Sequence, residues 1–328
     1  MYKLIRIALA TAATAVALNP ISRGVGTFSK FLINDQSFQE ESCKKLRNVF
    51  QMPPISDHPN SIDVILPEND HRWNTNEELY CRIYEHPELS EKPGHPLLFW
   101  IHGGGWAIGS VYNDDAIATK LQQLTNFTVI SISYGLAPEN PYPQALDDVI
   151  DTIELILGSY KKIPPITLAG ESAGAHLCLG AYYKLKQRKR IVKMALVYPP
   201  ITPTFKAYHS LGDHANLNGL LTANSLNKIY KNYIPANLSI TTLKPLFPMN
   251  YVNVLDKCSI LIINARYDIL YDENLKFSEK LKERSKHSRH ARSRVVTIKT
   301  YNDIHGFFGR FGHGNDALTM LGNWIVHN

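Results

Sequence analysis

Five residues restrict the fold more than any others: Gly170-Glu171-Ser172-Ala173-Gly174, a G-x-S-x-G element between an apolar run at 166–169 and a helix-patterned stretch at 172–186. A chain that passes from strand to helix in so few residues leaves no space for side chains at the flanks, and glycine stands at both. The turn raises the serine hydroxyl to the positive end of a helix dipole, where an anionic intermediate is favoured. The bare pentapeptide arises by chance in many proteins. Set between a strand and a helix, it calls for a sheet whose strands end in tight turns that lead into covering helices.

The rest of the chain has the matching alternation. Residues 62–66 and 79–84 read as early antiparallel strands, and the apolar run 97–101 as a strand buried on both faces. Helical patterning over 114–124, 147–157, 172–186, 272–284 and 316–326 is interleaved with strand-like runs at 128–133, 166–169, 195–198, 260–264 and 295–299. Short apolar strands alternating with amphipathic helices predict an α/β fold, a mostly parallel sheet with helices on both faces. One interval breaks the rhythm. Residues 199–258 carry prolines, asparagines and six aromatics, too long a stretch for a bare loop, so a helical cap insertion is expected there, completed by residues 35–60. With 1–34 set apart as a leader, 35–328 reads as a single domain.

A second glycine cluster, His102-Gly103-Gly104-Gly105-Trp106, follows the buried run 97–101. Consecutive glycines let backbone N–H groups face a cavity unobstructed. With the N–H of Ala173, those of Gly103 and Gly104 are expected to form an oxyanion hole, while His102, Gly105, Gly170 and Gly174 shape the loops. A phosphate loop would need Gly-Lys-Ser/Thr and a dinucleotide site a different glycine spacing, so both fail. A serine nucleophile then needs an acid and a histidine later in the chain, in that order. Asp268, just after the strand at 260–264, is the acid candidate; Asp272 and Glu273 fall where acids cap the next helix. His305, just after the last strand, is the base candidate. His287 and His290 fall before that strand, and His313 one glycine-rich turn too late.

These motifs, with Tyr134-Gly135-Leu136-Ala137-Pro138-Glu139, residues 143–148 and Asp268-Ile269-Leu270-Tyr271-Asp272-Glu273, resemble the hormone-sensitive lipase group of α/β-hydrolases over residues 97–307. The resemblance implies the α/β-hydrolase fold, a helical cap, carboxylic-ester hydrolysis of a small-molecule substrate, and no cofactor or metal. His305 would take the proton of Ser172 with Asp268 fixing its tautomer, in a two-step acyl transfer. Two rival readings share the scaffold: an amidase such as an aryl formamidase, and a non-catalytic ligand-binding homologue. The chain departs from the group at Gly135, where arginine is usual and a buried salt bridge is thereby lost, and at Glu171, where aspartate or threonine is commoner. Both are expected to stand clear of the triad.

Four cysteines, Cys43, Cys81, Cys178 and Cys258, form no C-x-x-C pair, which argues against a zinc ribbon or thioredoxin-like site. The net charge of +6 comes largely from basic runs at 184–190 and 282–294. Neither is interleaved with stacking aromatics, so a nucleic-acid partner is not expected. Both runs precede strands, at the sheet edge opposite the catalytic loops. At the N-terminus, Lys3 and Arg6 precede an apolar run at 7–18, too short for an ordinary span and suited to a signal sequence. The expectation is entry to the endoplasmic reticulum, in its lumen or on its membrane through residues 1–18; a mitochondrial transit peptide is the alternative. A lipophilic leader before such a domain is similar to fungal steryl acetyl hydrolases, which points to an acetylated sterol as one candidate substrate.

Overall fold

The structure, a computed structural model, describes residues 61–65, 79–86, 88–90, 92–186, 188–202, 221–287 and 295–327. The leader, residues 35–60 of the expected cap and the middle of the 199–258 interval lie outside them.

Eight strands form one sheet: β1 (Ser61–Ile65), β2 (Tyr80–Tyr84), β3 (Leu97–Ile101), β4 (Thr128–Ile132), β5 (Ile166–Glu171), β6 (Ile191–Val197), β7 (Ser259–Ala265) and β8 (Val296–Tyr301). Their order is β1-β2-β4-β3-β5-β6-β7-β8, with β1 and β2 antiparallel and every pair from β4–β3 to β7–β8 parallel. The five residues of β3 are all buried because each face of the strand meets a different core: Leu97, Phe99 and Ile101 point to one, Leu98 and Trp100 to the other. A continuous apolar run is what two covered faces require.

Five long helices supply those covers. Asp115–Thr125 (α1) packs on one face with Gly314–His327 (α7), through Ile117, Leu121, Leu318 and Trp324. Gln144–Gly158 (α2), Ala173–Lys184 (α3) and Tyr271–Lys286 (α6) bury Val149, Leu177 and Phe277 in the other core. Between β6 and β7 the cap interval holds Ala223–Tyr233 (α4) and the single turn Ile240–Leu243 (α5), followed by short 3-10 turns at Lys244–Leu246, Pro248–Asn250 and Val252–Lys257. Thr222 and Ser225 close a capping box at the start of α4. The cap is helical where the chain is free of proline and breaks into turns where Pro245 and Pro248 remove donors.

The sequence places strands and helices close to these bounds, with one sizeable difference. β6 starts at Ile191, not at 195, because Lys193 stays in the strand and carries its ammonium to the carbonyl of Ile325 at the end of α7. The basic run before β6 lies where expected, at the sheet edge away from the turn after β5. Lys184 pairs with Asp147 at 2.6 Å, and Arg188 and Arg190 donate to the carbonyls of Tyr183 and Ile163. Among the described residues no helix is long and apolar enough to cross a membrane.

β4 and β5 flank β3, so the chain leaves β3 in one direction and returns on its other side. Such a reversal opens a crevice at the carboxyl ends of the strands. The glycine cluster after β3 and the serine turn after β5 both stand at that crevice.

Candidate active site

Ser172 takes φ +50° and ψ −121° between β5 and α3, a left-handed backbone that only a surrounding lattice of contacts sustains in a non-glycine residue. The lattice is visible. The Ser172 N–H donates to the Val197 carbonyl at 2.8 Å, and a Cβ on Gly174 would stand 2.1 Å from the Ile101 carbonyl oxygen and 2.4 Å from that of His102. Glycine at 174 therefore lets the helix start press against the root of the glycine cluster, bringing two expected site elements together.

His305 follows β8 and reaches back across the crevice. Its Nε2 lies 2.9 Å from Ser172 Oγ, and its Nδ1 lies 2.6 Å from Asp268 Oδ2. A carboxylate accepts only, so Nδ1 carries the ring proton and Nε2 is left to accept from the serine hydroxyl. Asp268 is buried after β7, and its other oxygen accepts the Leu270 N–H at 2.9 Å. The rivals fall elsewhere. Asp272 and Glu273 lie in the first turn of α6, where Glu273 Oε1 accepts the Ile201 N–H. His287 caps the far end of that helix, and His313 pairs with Asp303 at 2.8 Å. His290 lies outside the described residues.

His102 is buried, stacked on Tyr134 at 4.2 Å, and donates from Nδ1 to the Gly103 carbonyl at 2.7 Å. Burial holds its pKa down to about 4, so it is a neutral brace for the loop. Gly104 has φ +115°, and its carbonyl accepts from the N–H groups of Ala107 and Ile108, which folds the cluster back on itself. No hydrogen bond among the described residues uses the N–H of Gly103, Gly104 or Ala173. Ala173 follows Ser172 directly, and the close approach of Gly174 to the Ile101 and His102 carbonyls brings the glycine cluster to the same end of the sheet.

Above the glycine cluster the cap closes in. Tyr233 of α4 stacks on Trp106 at 4.3 Å, and His176 of α3 meets the same indole edge-on at 5.3 Å. Tyr230, Tyr233 and Tyr251 are fully buried and join the same core as β3, α2 and α3, so the cap packs directly on the sheet's helical cover. Phe205 and Tyr208 lie outside the described residues. Among the described residues no group of three or more His, Cys, Asp or Glu side chains is placed to hold a metal ion.

The two departures in sequence have different outcomes. At Gly135 no cation reaches the neighbouring acid: the Gly135 N–H donates to buried Asp148 at 2.7 Å, Gln144 Nε2 donates at 2.6 Å, and no ion pair among the described residues includes Asp148. Burial, helped by the charges of Asp147 and Asp151, pushes its pKa up to about 7. Among the described residues the Glu171 side chain bonds to no triad member, but it is linked to one through a neighbour. Its carboxylate accepts from Tyr198 Oη at 2.8 Å and from both Nη atoms of Arg310 at 2.7 Å, and the Tyr198 ring tilts against His305 at 4.5 Å. Glu171 thus lies two contacts from the base. Reading the sequence misses Arg310, Tyr198 and Asp114 in this network. The one available signal is a lone arginine in the glycine-rich stretch after His305.

A family model described as alpha/beta hydrolase fold matches residues 98–309. The chain belongs to the α/β-hydrolase family. Within it, the matched domain and the relatives below make it a member of the hormone-sensitive lipase group. An esterase of Acinetobacter venetianus is 30% identical over 196 residues, covering 57% of this chain and 61% of that protein. Neutral cholesterol ester hydrolase 1 of Bos taurus is 25% identical over 204 residues, covering 55% and 49%. The versiconal hemiacetal acetate esterase stcI of Emericella nidulans is 34% identical over 96 residues, covering 29% and 32%. The chain spans less than two thirds of the length of these relatives. Among solved structures, a hyperthermophilic esterase from Pyrobaculum calidifontis superposes with a TM-score of 0.72 at 23% identity, over 95% of this chain and 98% of that one. At that identity the likeness is one of fold.

Proposed function

We propose that the protein is a serine carboxylic-ester hydrolase that works through an acyl-enzyme. The observation that carries this reading is the unbroken relay from Asp268 through His305 to Ser172, at 2.6 and 2.9 Å, beside the N–H groups of Gly103, Gly104 and Ala173, which no described residue engages. His305 Nε2 takes the Ser172 proton as Oγ attacks the ester carbonyl. The amides of Gly103, Gly104 and Ala173 hold the oxyanion, each such donor contributing about 3 kcal/mol to the barrier reduction. Protonated His305 then gives its proton to the departing alkoxide. Water, deprotonated by the same nitrogen, attacks the acyl-enzyme and releases the acid with Ser172 restored.

The substrate we assign is a small or lipophilic ester, with an acetylated sterol as one candidate. The names of two relatives, a cholesterol ester hydrolase and an acetate esterase, support that class. Residence at the endoplasmic reticulum, with the leader as entry signal or anchor, is part of the same proposal and would bring such substrates within reach. The test is Ser172→Ala: p-nitrophenyl acetate turnover should vanish while the melting temperature holds, and retained turnover refutes the assignment. A chain-length series of esters, run beside sterol acetates, then locates the substrate.

A further inference from the structure

The stretch that carries His305 is a loop anchored by buried Phe307 and Phe308, by turns within itself and by Asp303, which accepts from the N–H and Nδ1 of His313. Residues 302–313 form no helix or strand, and Gly306, Gly309 and Gly312 within it take positive φ. Arg310 closes this loop onto the sheet. Its Nη1 donates to Glu171 Oε2 at 2.7 Å and to the Phe308 carbonyl at 3.1 Å; its Nη2 donates to Glu171 Oε1 at 2.7 Å and to Asp114 Oδ1 at 2.6 Å. Glu171 is the last residue of β5, bonded covalently to Ser172. A Cβ on Gly103 would lie 3.1 Å from its Cγ and Oε1, so the same side chain lies against the glycine cluster. Tyr198, its third partner, stands at φ +37° with its ring against His305. One carboxylate therefore adjoins the supports of nucleophile, base and oxyanion donors.

A purely structural contact here would be cheaper in apolar side chains. Glu171 and Asp114 bring two negative charges to one guanidinium, and burying such a set costs more than well-packed hydrocarbon of similar volume. Burial works against the Glu171 carboxylate, yet Arg310 and Tyr198 hold its pKa below the usual value, so the pair stays ionised. Asp114 is the member pushed upward, by burial and then by the charge of Glu171, and Trp100 Nε1 donates to it at 2.8 Å.

Building on the hydrolase reading above, we propose that Glu171 and Arg310 are positioning residues: their bidentate pair sets the distance between His305 and Ser172 by tying the histidine loop to the serine turn. Neither touches the reacting atoms. Their effect should fall on the chemical step and leave ester binding nearly unchanged, because an error of about 1 Å at a reacting pair costs on the order of 100-fold in rate.

The test uses the full chain with Glu171→Gln, Arg310→Lys and Arg310→Met, read by kcat and KM on p-nitrophenyl acetate, by the rate of Ser172 labelling with a fluorophosphonate, and by thermal melting. Glu171→Gln and Arg310→Lys should fold, lose about 10- to 100-fold in kcat and in labelling rate, and keep KM within about threefold. Arg310→Lys retains the charge without the fork and should fall between the wild type and Arg310→Met. A folded Glu171→Gln or Arg310→Lys with kcat within about threefold of wild type overturns the inference, as does a loss confined to KM. Failure of all three variants to fold also overturns it, in favour of a structural clamp alone. Wild-type protein that neither turns over the ester nor takes the label would instead refute the hydrolase reading itself.

Discussion

Replacing Asp148 with asparagine should stabilise the protein at alkaline pH and do little at acid pH. Asp148 is 1% exposed on α2, with the Gly135 N–H and Gln144 Nε2 as its hydrogen-bond donors. Its pKa stands at about 7 against an ordinary 3.8, raised by burial first and by Asp147 and Asp151 after it. The folded state therefore binds this proton more tightly than the unfolded chain does. Stability is fully present below about pH 4 and drains as the pH rises through about 7, beyond which the loss is constant. At about 1.4 kcal/mol per pKa unit, the ceiling on that loss is on the order of 4 kcal/mol. In Asp148→Asn the new amide oxygen can still accept from Gly135, and a half-turn of the Gln144 amide offers an acceptor to the new NH2, so both hydrogen bonds survive without the charge. Thermal melts of both proteins should diverge by about 2 to 3 kcal/mol between about pH 4.5 and about pH 8.5, several degrees in Tm, with the variant higher at the alkaline end. A gap that does not change with pH, or a variant that melts lower at alkaline pH, would refute the claim that Asp148 is a buried carboxylate without a cation.

Two further outcomes are open to simple assays. Gly104→Ala places a Cβ 2.0 Å from the Ile108 carbonyl oxygen at φ +115°, so ester turnover should fall by about 100-fold or more through displacement of an oxyanion donor, with a lower Tm; unchanged turnover would remove Gly104 from the site. Cys81, Cys178 and Cys258 are buried thiols, and burial pushes Cys81 up to about 12. In a Cys43→Ser background, a disulfide-exchange reagent should label no thiol in the native protein and three after denaturation.

What the sequence reveals about this site depends on whether a residue's role is local or remote. Ser172 is legible because its turn is written in the glycines beside it. His305 and Asp268 are legible because each follows a strand, and strand ends in an open α/β sheet converge on one crevice. Arg310 is not, since its partners Glu171 and Asp114 stand 139 and 196 residues away in the chain and nothing near position 310 announces two acids. Glu171 shows the converse: its identity is plain, but its consequence passes through Tyr198, whose unusual backbone is visible only in three dimensions. The start of β6 is hidden for another reason. Lys193 looks like the tail of a solvated basic run until the end of α7 supplies a carbonyl for it.

The distance between nucleophile and base along the chain bears on how the protein is made. Ser172 and His305 lie 133 residues apart, and the strand that delivers the histidine, β8, is the last of the eight. Translation at about 5–20 residues per second separates the two by about 7 to 27 seconds. During that interval the serine turn has neither its base nor Arg310 to hold the base in register. On the proposed mechanism, a nascent chain could not hydrolyse an ester before β8 and the loop after it deliver His305. On that proposal, the appearance of ester turnover would time the arrival of β8 and the histidine loop in the folded sheet.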